Sequence, residues 1–434
     1  MTTRAFGAVE PPRGWCSRPW SDLARGKVES TTATVRVIEN IPVVNDAVEE
    51  SFDSNVEALR HLVPEIMNFN WLAEYEYTMP SRATYPWMWL WDSCFHAIIY
   101  ATLGDERALL EAQSIFRWQA SDGMVPHMGY QADERFGGAA WRGVGASILT
   151  QPPMYGHMLR VLHDQGFDID PLIESATAGL RFILRERRVE SGLVAVVHPW
   201  ETGADNSPRW NPWSAHGTGH FEWRKAKDRL VTSVRVSEAG SATSNPLFSV
   251  APASFNALVA FNAQELGGLS NDSSLRGDAL ELAEILDDRF DNHLGTWVDT
   301  APDGECVSSI RTLDALLPIL VSPRQDLVER ALRLTVDPAA FGASFGPCGV
   351  DRREPEFDAN AYWRGGAWPQ LTYLFYVAAT RSQHFDVRES LANSAIRAAI
   401  RSNFAEYLNP ITGVGLGAPF QSWGCLPIAM LATN

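Results

Sequence analysis

Two carboxylates in this sequence keep company that helix caps and surface acids do not need. Asp205 lies in the run His198-Pro-Trp-Glu-Thr-Gly-Ala-Asp-Asn-Ser-Pro-Arg-Trp210, surrounded by Trp200, Glu201, Arg209 and Trp210. Glu406 lies in Phe404-Ala-Glu-Tyr407, ahead of Gln421-Ser-Trp423. One carboxyl group that gives a proton and another that takes one can together cleave a glycosidic bond, the first assisting the leaving oxygen and the second activating water. Each residue also has a plainer reading. Asp-Asn-Ser-Pro is good turn chemistry, and a glutamate near a helix end is usually solvated.

Further clusters share this character. They are Tyr85-Pro-Trp-Met-Trp89-Leu-Trp91-Asp92, Gln119 to His127, Gln151-Pro-Pro, and Tyr362-Trp-Arg-Gly-Gly-Ala-Trp-Pro-Gln370. Many of the sixteen tryptophans stand in them beside polar residues. Flat aromatic faces next to carboxylates suit sugars, whose C–H faces are apolar and whose hydroxyls need partners. Trp15, Trp20, Trp71 and Trp297 read instead as core filling. Asp92 fits a helix cap or a sugar-hydroxyl acceptor, Arg209 and Arg364 fit ordinary salt bridges, and His127 fits a buried structural histidine or a ligand.

Composition narrows the partners. With 434 residues, 45% hydrophobic and 20% charged, the chain can bury a large core. A net charge of −16 argues against nucleic acid or an anionic membrane, and leaves a small carbohydrate as the expected partner. No apolar run is long enough to span a bilayer, and the N-terminal stretch lacks the apolar segment of a secretory signal. The five cysteines are scattered without a Cys-x-x-Cys pair. That usage fits a reducing cytoplasm, with no metal site and no cofactor. The oligomeric state is left open.

These motifs need a scaffold. Residues 1–52 read as an irregular N-terminal extension, with one possible short strand pair between Ser30 and Val44. From Asp53 the apolar spacing turns helical, and 53–434 reads as a single all-α domain. It predicts about twelve helices, over 53–76, 92–103, 105–119, 150–165, 171–187, 250–266, 272–291, 308–320, 324–334, 361–380, 385–403 and 421–432. Connections after even-numbered helices are short; those after odd-numbered ones, 77–91, 120–149, 188–249, 292–307, 335–360 and 404–420, are long. In an array of antiparallel helices this alternation puts every long loop on one face. Twelve such helices can close into a double-layered (α/α)6 toroid, with the site among the long loops.

His198 to Trp210, Tyr362 to Gln370 and Phe404 to Trp423 resemble the motifs of glycoside hydrolase family 63, in the branch of mannosylglycerate and glucosylglycerate hydrolases. A more distant likeness is to trehalase. The resemblance covers about Tyr85 to Trp423. It implies an (α/α)6 toroid and an inverting mechanism on a small α-glucoside or α-mannoside, with Asp205 as general acid and Glu406 as general base. Trp89, Trp91, Asp92, Trp363 and Trp368 match positions that wall the glycosyl ring. Tyr85, Gln151, Tyr362 and Gln421 match positions that hold the aglycone, the ring or the attacking water. Trp200, Glu201, Arg209, Trp210, Arg364 and Trp423 join the expected binding residues. Inversion also requires the two carboxyls to titrate apart, Asp205 protonated and Glu406 ionised.

Two departures stand out. Gly366 replaces an expected proline, which implies a looser loop. The arginine-containing segment that follows the acid motif in glycerate-binding members has no match between Asn211 and Pro252. Arg224, Lys225, Lys227 and Arg229 are its only candidate replacements, and they read better as a solvated helical face. Rival functions are a trehalase-like α-glucosidase, a sugar epimerase or isomerase working through histidines, and a non-catalytic carbohydrate-binding toroid.

Overall fold

A computed structural model describes residues 51–130, 142–143, 145–214 and 220–431. The strand pair expected between Ser30 and Val44, and most of the loop from Gly129 to Trp141, lie outside the described residues. Eleven α-helices occur among those described. They are α1 (Phe52–Asn70), α2 (Leu90–Thr102), α3 (Arg107–Phe116), α4 (Tyr155–Asp164), α5 (Asp170–Glu186) and α6 (His220–Ser233), then α7 (Ala253–Leu269), α8 (Ser273–Asp287), α9 (Gln325–Val336), α10 (Pro369–Arg381) and α11 (Phe385–Arg401). Leu313–Leu320 and Ser422–Met430 are 3-10 helices with Pro318 and Pro427 inside them, residues that cannot donate to an α-helical ladder.

Each of the twelve expected helices has a helical counterpart, with trimmed ends. The first stops at Asn70 because Trp71–Leu72 turns back to pair with Tyr77–Thr78. The tenth begins only at Pro369, whose fixed φ and missing N–H suit the first helical turn. One α-helix stands outside the twelve: α6, inside the long connection 188–249, where Arg224 to Arg229 had read as a helical face.

Six elements form an inner layer, and two of them are buried nearly all round. α2 is buried from Leu90 to Ala101 and α7 from Ala253 to Ala263. α2 packs on α4, α4 on α7, α7 on Leu313–Leu320, that helix on α10, α10 on Ser422–Met430, and Ser422–Met430 back on α2. The contacts therefore close into a ring. The remaining long helices lie outside it with one apolar face: α3 against α2, α5 against α7 and α3, α8 against α7, α9 against Leu313–Leu320, α11 against α10, and α1 against Ser422–Met430 and α11. α9, for example, buries Leu327, Val328, Ala331, Leu332 and Thr335 and exposes the rest of its circumference to varying degrees.

Six two-stranded antiparallel sheets decorate the long connections. Met88–Trp89 pairs with Met128–Gly129, and Tyr407–Leu408 with Gly415–Leu416. Buried ion pairs fasten the longest connection. Arg187 grips Glu201 with two bonds of 3.0 and 2.8 Å, while Arg209 bonds Asp299 at 2.8 Å and also Asp314. Arg209 is almost fully buried, and so is Asp299.

Losing one partner of a buried pair strands the other charge, at a cost of about 3–5 kcal/mol. Arg209→Met should therefore lower the unfolding free energy by that much. Chemical unfolding followed by tryptophan fluorescence measures it.

Candidate active site

Long connections from five places in the chain surround one cavity of about 770 Å³. Its walls include Tyr85, Trp89, Trp91, Asp92, His127, Gln151, Trp200, Asp205, Asn206, Arg224, Lys227, Tyr362, Glu406, Tyr407, Gln421 and Trp423. The connection 288–312 adds nothing to this lining, but its Asp299 anchors Arg209 behind the Asp205 loop.

The Asp205 loop is framed by indole donors. Trp210 Nε1 donates to the carbonyl of Ala204 at 2.9 Å, and Trp223 Nε1 to that of Asp205 at 2.8 Å. Gly203 stands at φ +73°, and a Cβ there would lie 2.5 Å from the Trp91 ring. Only glycine lets this turn lean so closely on the aromatic wall.

Glu406 immediately precedes the strand Tyr407–Leu408, and its backbone N–H donates to the carbonyl of Ala418 at 2.8 Å. Its Oε1 accepts from the Tyr85 hydroxyl at 3.1 Å, and its Oε2 from the backbone N–H of Ala418 at 3.0 Å. Trp423 Nε1 donates to its carbonyl at 2.9 Å. A Cβ at Gly417 (φ +71°) would come within 2.3 Å of Oε2, so a bare glycine is needed beside the carboxylate. Burial pushes the Glu406 carboxyl up to about 7, against the opposing bonds from Ala418, Tyr85 and Tyr362.

Asp205 is salt-bridged. The Lys227 ammonium lies 2.7 Å from its Oδ2 and 2.9 Å from Asn206 Oδ1, 5.6 Å from the centre of the Trp200 ring. An ammonium thus occupies an oxygen where a proton was expected. Lys227 also corrects the reading of α6 as a wholly solvated face. Trp223, Lys227, Leu230, Val231 and Val234 are buried, and Lys225, Asp228 and Arg229 are exposed. The spacing Trp223, Lys227, Leu230, Val231 is an apolar helical stripe with a lysine inside it, and that signal was present in the sequence.

Asp92 is not a cap. α2 begins at Leu90 with Trp89 as its cap residue, which makes no side-chain capping bond, and Asp92 sits in the first turn. Burial, and then the charge of Glu406, push its carboxyl well above the usual carboxylate range. Gln151 Oε1 and Gln421 Oε1 are buried acceptors with no hydrogen-bond partner among the described residues. His127 lines the cavity at Trp89, and burial pulls its imidazole down to about 3, so it is neutral near pH 7.

Six residues expected to touch substrate stand behind the wall. Glu201 is consumed by Arg187 and the backbone N–H of Val197, and Arg209 by Asp299 and Asp314. Trp210 packs on Phe248 and Trp213. Trp363 and Trp368 stack at 3.7 Å, continuing on one side to Tyr407 at 4.9 Å and on the other to Trp91 at 6.5 Å. They back the wall that Trp91 and Tyr407 present. Arg364 bonds Asn211 Oδ1 at 2.6 Å. The loop at Gly366 is held rather than loose: its carbonyl accepts from Gly349 at 3.1 Å, and Ala367 exchanges backbone bonds with Leu408.

Residues 85–424 match the profile of the mannosylglycerate hydrolase MGH1-like glycoside hydrolase domain. The chain belongs to that family. It is 28% identical over 400 residues to the mannosylglycerate hydrolase of Thermus thermophilus, covering 80% of this chain and 94% of the relative. The glucosylglycerate hydrolase of Mycolicibacterium hassiacum is also 28% identical, over 408 residues, covering 80% and 92%. The fold matches the crystal structure of a family 63 mannosylglycerate hydrolase from Thermus thermophilus in complex with Tris and D-glycerate. The TM-score is 0.73 at 23% identity, covering 86% of this chain and 99% of that one. Membership makes this chain a glycosidase of family 63.

Asp92 is buried and opposed by the charge of Glu406, a setting that hydroxyl donors from a sugar would relieve. Asp92→Asn removes the acid and keeps the shape. It should lower kcat/KM roughly ten- to a hundredfold, since a buried polar group left with the wrong partner costs about 1–3 kcal/mol. The melting temperature should stay level or rise. Steady-state kinetics and calorimetry on one preparation test both; unchanged kcat/KM would remove Asp92 from the binding set.

Proposed function

We propose that this glycosidase inverts the anomeric centre of a small α-glucoside or α-mannoside, with Asp205 as general acid and Glu406 as general base. The observation that carries this reading is the pair of carboxyl groups facing one aromatic cavity from loops two hundred residues apart, each in a different electrostatic setting. Inverting hydrolysis needs such a pair, set apart by roughly 6.5–9.5 Å to admit a water. The closed ring of six inner helices with outer helices around it is read as the (α/α)6 toroid.

In the mechanism, Glu406 takes a proton from water as the water oxygen bonds to the anomeric carbon. The bond to the leaving oxygen breaks as Asp205 delivers its proton there. Tyr85, donating to Glu406, holds the base on the water side. Gln151 and Gln421 offer acceptors to hydroxyls, and Trp89, Trp91 and Trp423 face the ring. The substrate is read as a mannosyl or glucosyl derivative of glycerate or a similarly small aglycone, as in the relatives' names, or a disaccharide. Cavity volume supports either size. An epimerase reading loses support from His127, the one histidine among the described cavity-lining residues, which is too weakly basic to exchange protons near neutral pH. The compartment is read as cytoplasmic; among the described residues no helix is long and apolar enough to cross a membrane, and Cys94, Cys306, Cys348 and Cys425 are free thiols.

Glu406 acts as a base only when ionised, and burial raises its carboxyl to about 7. The value of kcat/KM should therefore fall about tenfold per unit as pH drops below about 7, the limb that reports the free enzyme's base. A flat profile from pH 5 to 7 would exclude Glu406 from this role.

Proton NMR of the nascent sugar should show the β-anomer first from an α-glycoside. Asp205→Asn should lose about 10²–10⁴ in rate on natural substrates and recover much of it on a glycosyl fluoride, which needs little protonation. Glu406→Gln should lose a similar factor on both, with partial rescue by azide. Reversed responses would exchange the two roles.

A further inference from the structure

Among the described cavity-lining residues the cations, Arg224 and Lys227, are both on α6. Arg224 and Lys227 lie one turn apart on the Asp205 side, and the Trp91, Asp92, Gln421 and Trp423 wall brings no cation. Lys227 does not point to solvent. Its side chain is 11% exposed, and its ammonium spends one bond on Asp205 Oδ2 and another on Asn206 Oδ1, within reach of the Trp200 ring face. Asp205 is bonded by Lys227 from α6 and shares the cavity wall with Arg224, and its charge acts on Tyr85 of the 81–85 turn, on Tyr362 of the 358–366 loop and on Glu406. Of these, only Lys227 is bonded to its carboxylate. A general acid in that state has its oxygen accepting from an ammonium and no proton to give along that direction.

We propose that Lys227 is a positioning residue that holds Asp205 as a carboxylate in the resting enzyme and releases it when an anionic group on the substrate's leaving group takes over the ammonium. This rests on the reading of Asp205 as general acid. The ammonium is a compact charge with rotatable donors on a flexible stem, so it can change acceptors by small torsions while staying over Trp200. A carboxylate carried beside the glycosidic oxygen would arrive on the cationic side of the cavity, next to Asp205. Once the ammonium has turned to it, Asp205 takes a proton from solvent and passes it to the leaving oxygen. Departure of the acidic product returns Lys227 to Asp205. The cavity thereby selects α-glycosides of hydroxy acids over neutral α-glycosides, and does so partly in turnover rather than in binding alone.

The test compares α-glucosyl or α-mannosyl D-glycerate with the matching glycerol glycoside, in the wild type, Lys227→Met and Lys227→Arg. The wild type should prefer the glycerate compound at least tenfold in kcat/KM, with part of the preference in kcat. Lys227→Met should lose tenfold or more on the glycerate compound and gain severalfold on the neutral one, because Asp205 is freed. Lys227→Arg, which keeps a cation, should keep the wild-type order. In titration calorimetry D-glycerate should bind the wild type and lose at least tenfold in affinity in Lys227→Met. Parallel losses on both substrates in a folded Lys227→Met, an unchanged ratio, or no wild-type affinity for D-glycerate would each overturn the switch. If Asp205→Asn proves indifferent to the leaving group, the assignment of the acid falls and this inference falls with it. If that assignment holds and Lys227→Met gives parallel losses, the switch alone is rejected.

Discussion

A ring of helices holds only if its last member packs on its first, and here a buried polar chain makes that contact. His96 of α2 bonds Ser422 of the closing 3-10 helix through Nε2, and Glu111 of α3 through Nδ1 at 3.3 Å. Glu111 also accepts from the backbone N–H of Thr78 at 2.7 Å, and Ser422 donates its own N–H to the carbonyl of Pro80 at 3.0 Å. These groups have no access to water, so each unmade bond would cost its full desolvation and the geometry is tightly determined. Trp91 and Trp423 meet edge to face at 5.7 Å on the same seam. The seam therefore joins the two ends of the domain and, through Trp423 Nε1 on the Glu406 carbonyl, sets one catalytic candidate against the wall that carries Asp92.

The other carboxylate reaches the cavity by a separate route. Asp205 lies on a long connection that has one small strand pair, Arg235–Val236 with Ala242–Ser244, well beyond it, and buried charge fastens the loop. Arg187 with Glu201 and Arg209 with Asp299 and Asp314 tie that connection to α5, to the 288–312 segment and to the ring helix Leu313–Leu320. Such pairs contribute little net stability, because desolvation offsets attraction, but they leave few alternative arrangements once formed. Rigidity of this kind fixes where Asp205 meets the cavity.

Three acids then share one aromatic cavity under unlike conditions. Asp92 has burial and a neighbouring charge against it, Glu406 has burial opposed by a tyrosine and a backbone donor, and Asp205 has a lysine. Their surroundings therefore differ although the carboxyl groups themselves are chemically alike.

The helical core was legible in the residues because amphipathic spacing is local: a stripe at three and four residues can be seen without knowing what covers it. The alternation of short and long connections was legible for the same reason, and so were the loops that would carry the site. Local pattern also pointed to Asp205, Glu406 and the tryptophan clusters. What it could not decide was which neighbour in a motif faces the cavity. Glu201, Arg209 and Trp210 share the Asp205 motif and turn away from substrate, because Arg187, Asp299, Asp314 and Phe248, brought from distant segments, claim them. Trp363 and Trp368 were drawn behind Trp91 and Tyr407 by stacking across the ring. Lys227 was placed on Asp205 by the packing of Trp223 and Leu230 beneath α6. A sequence determines which side chains prefer burial, charge or hydrogen bonds; partners two hundred residues away decide how those preferences are met, since each polar group has few bonds to give and the fold chooses their recipients.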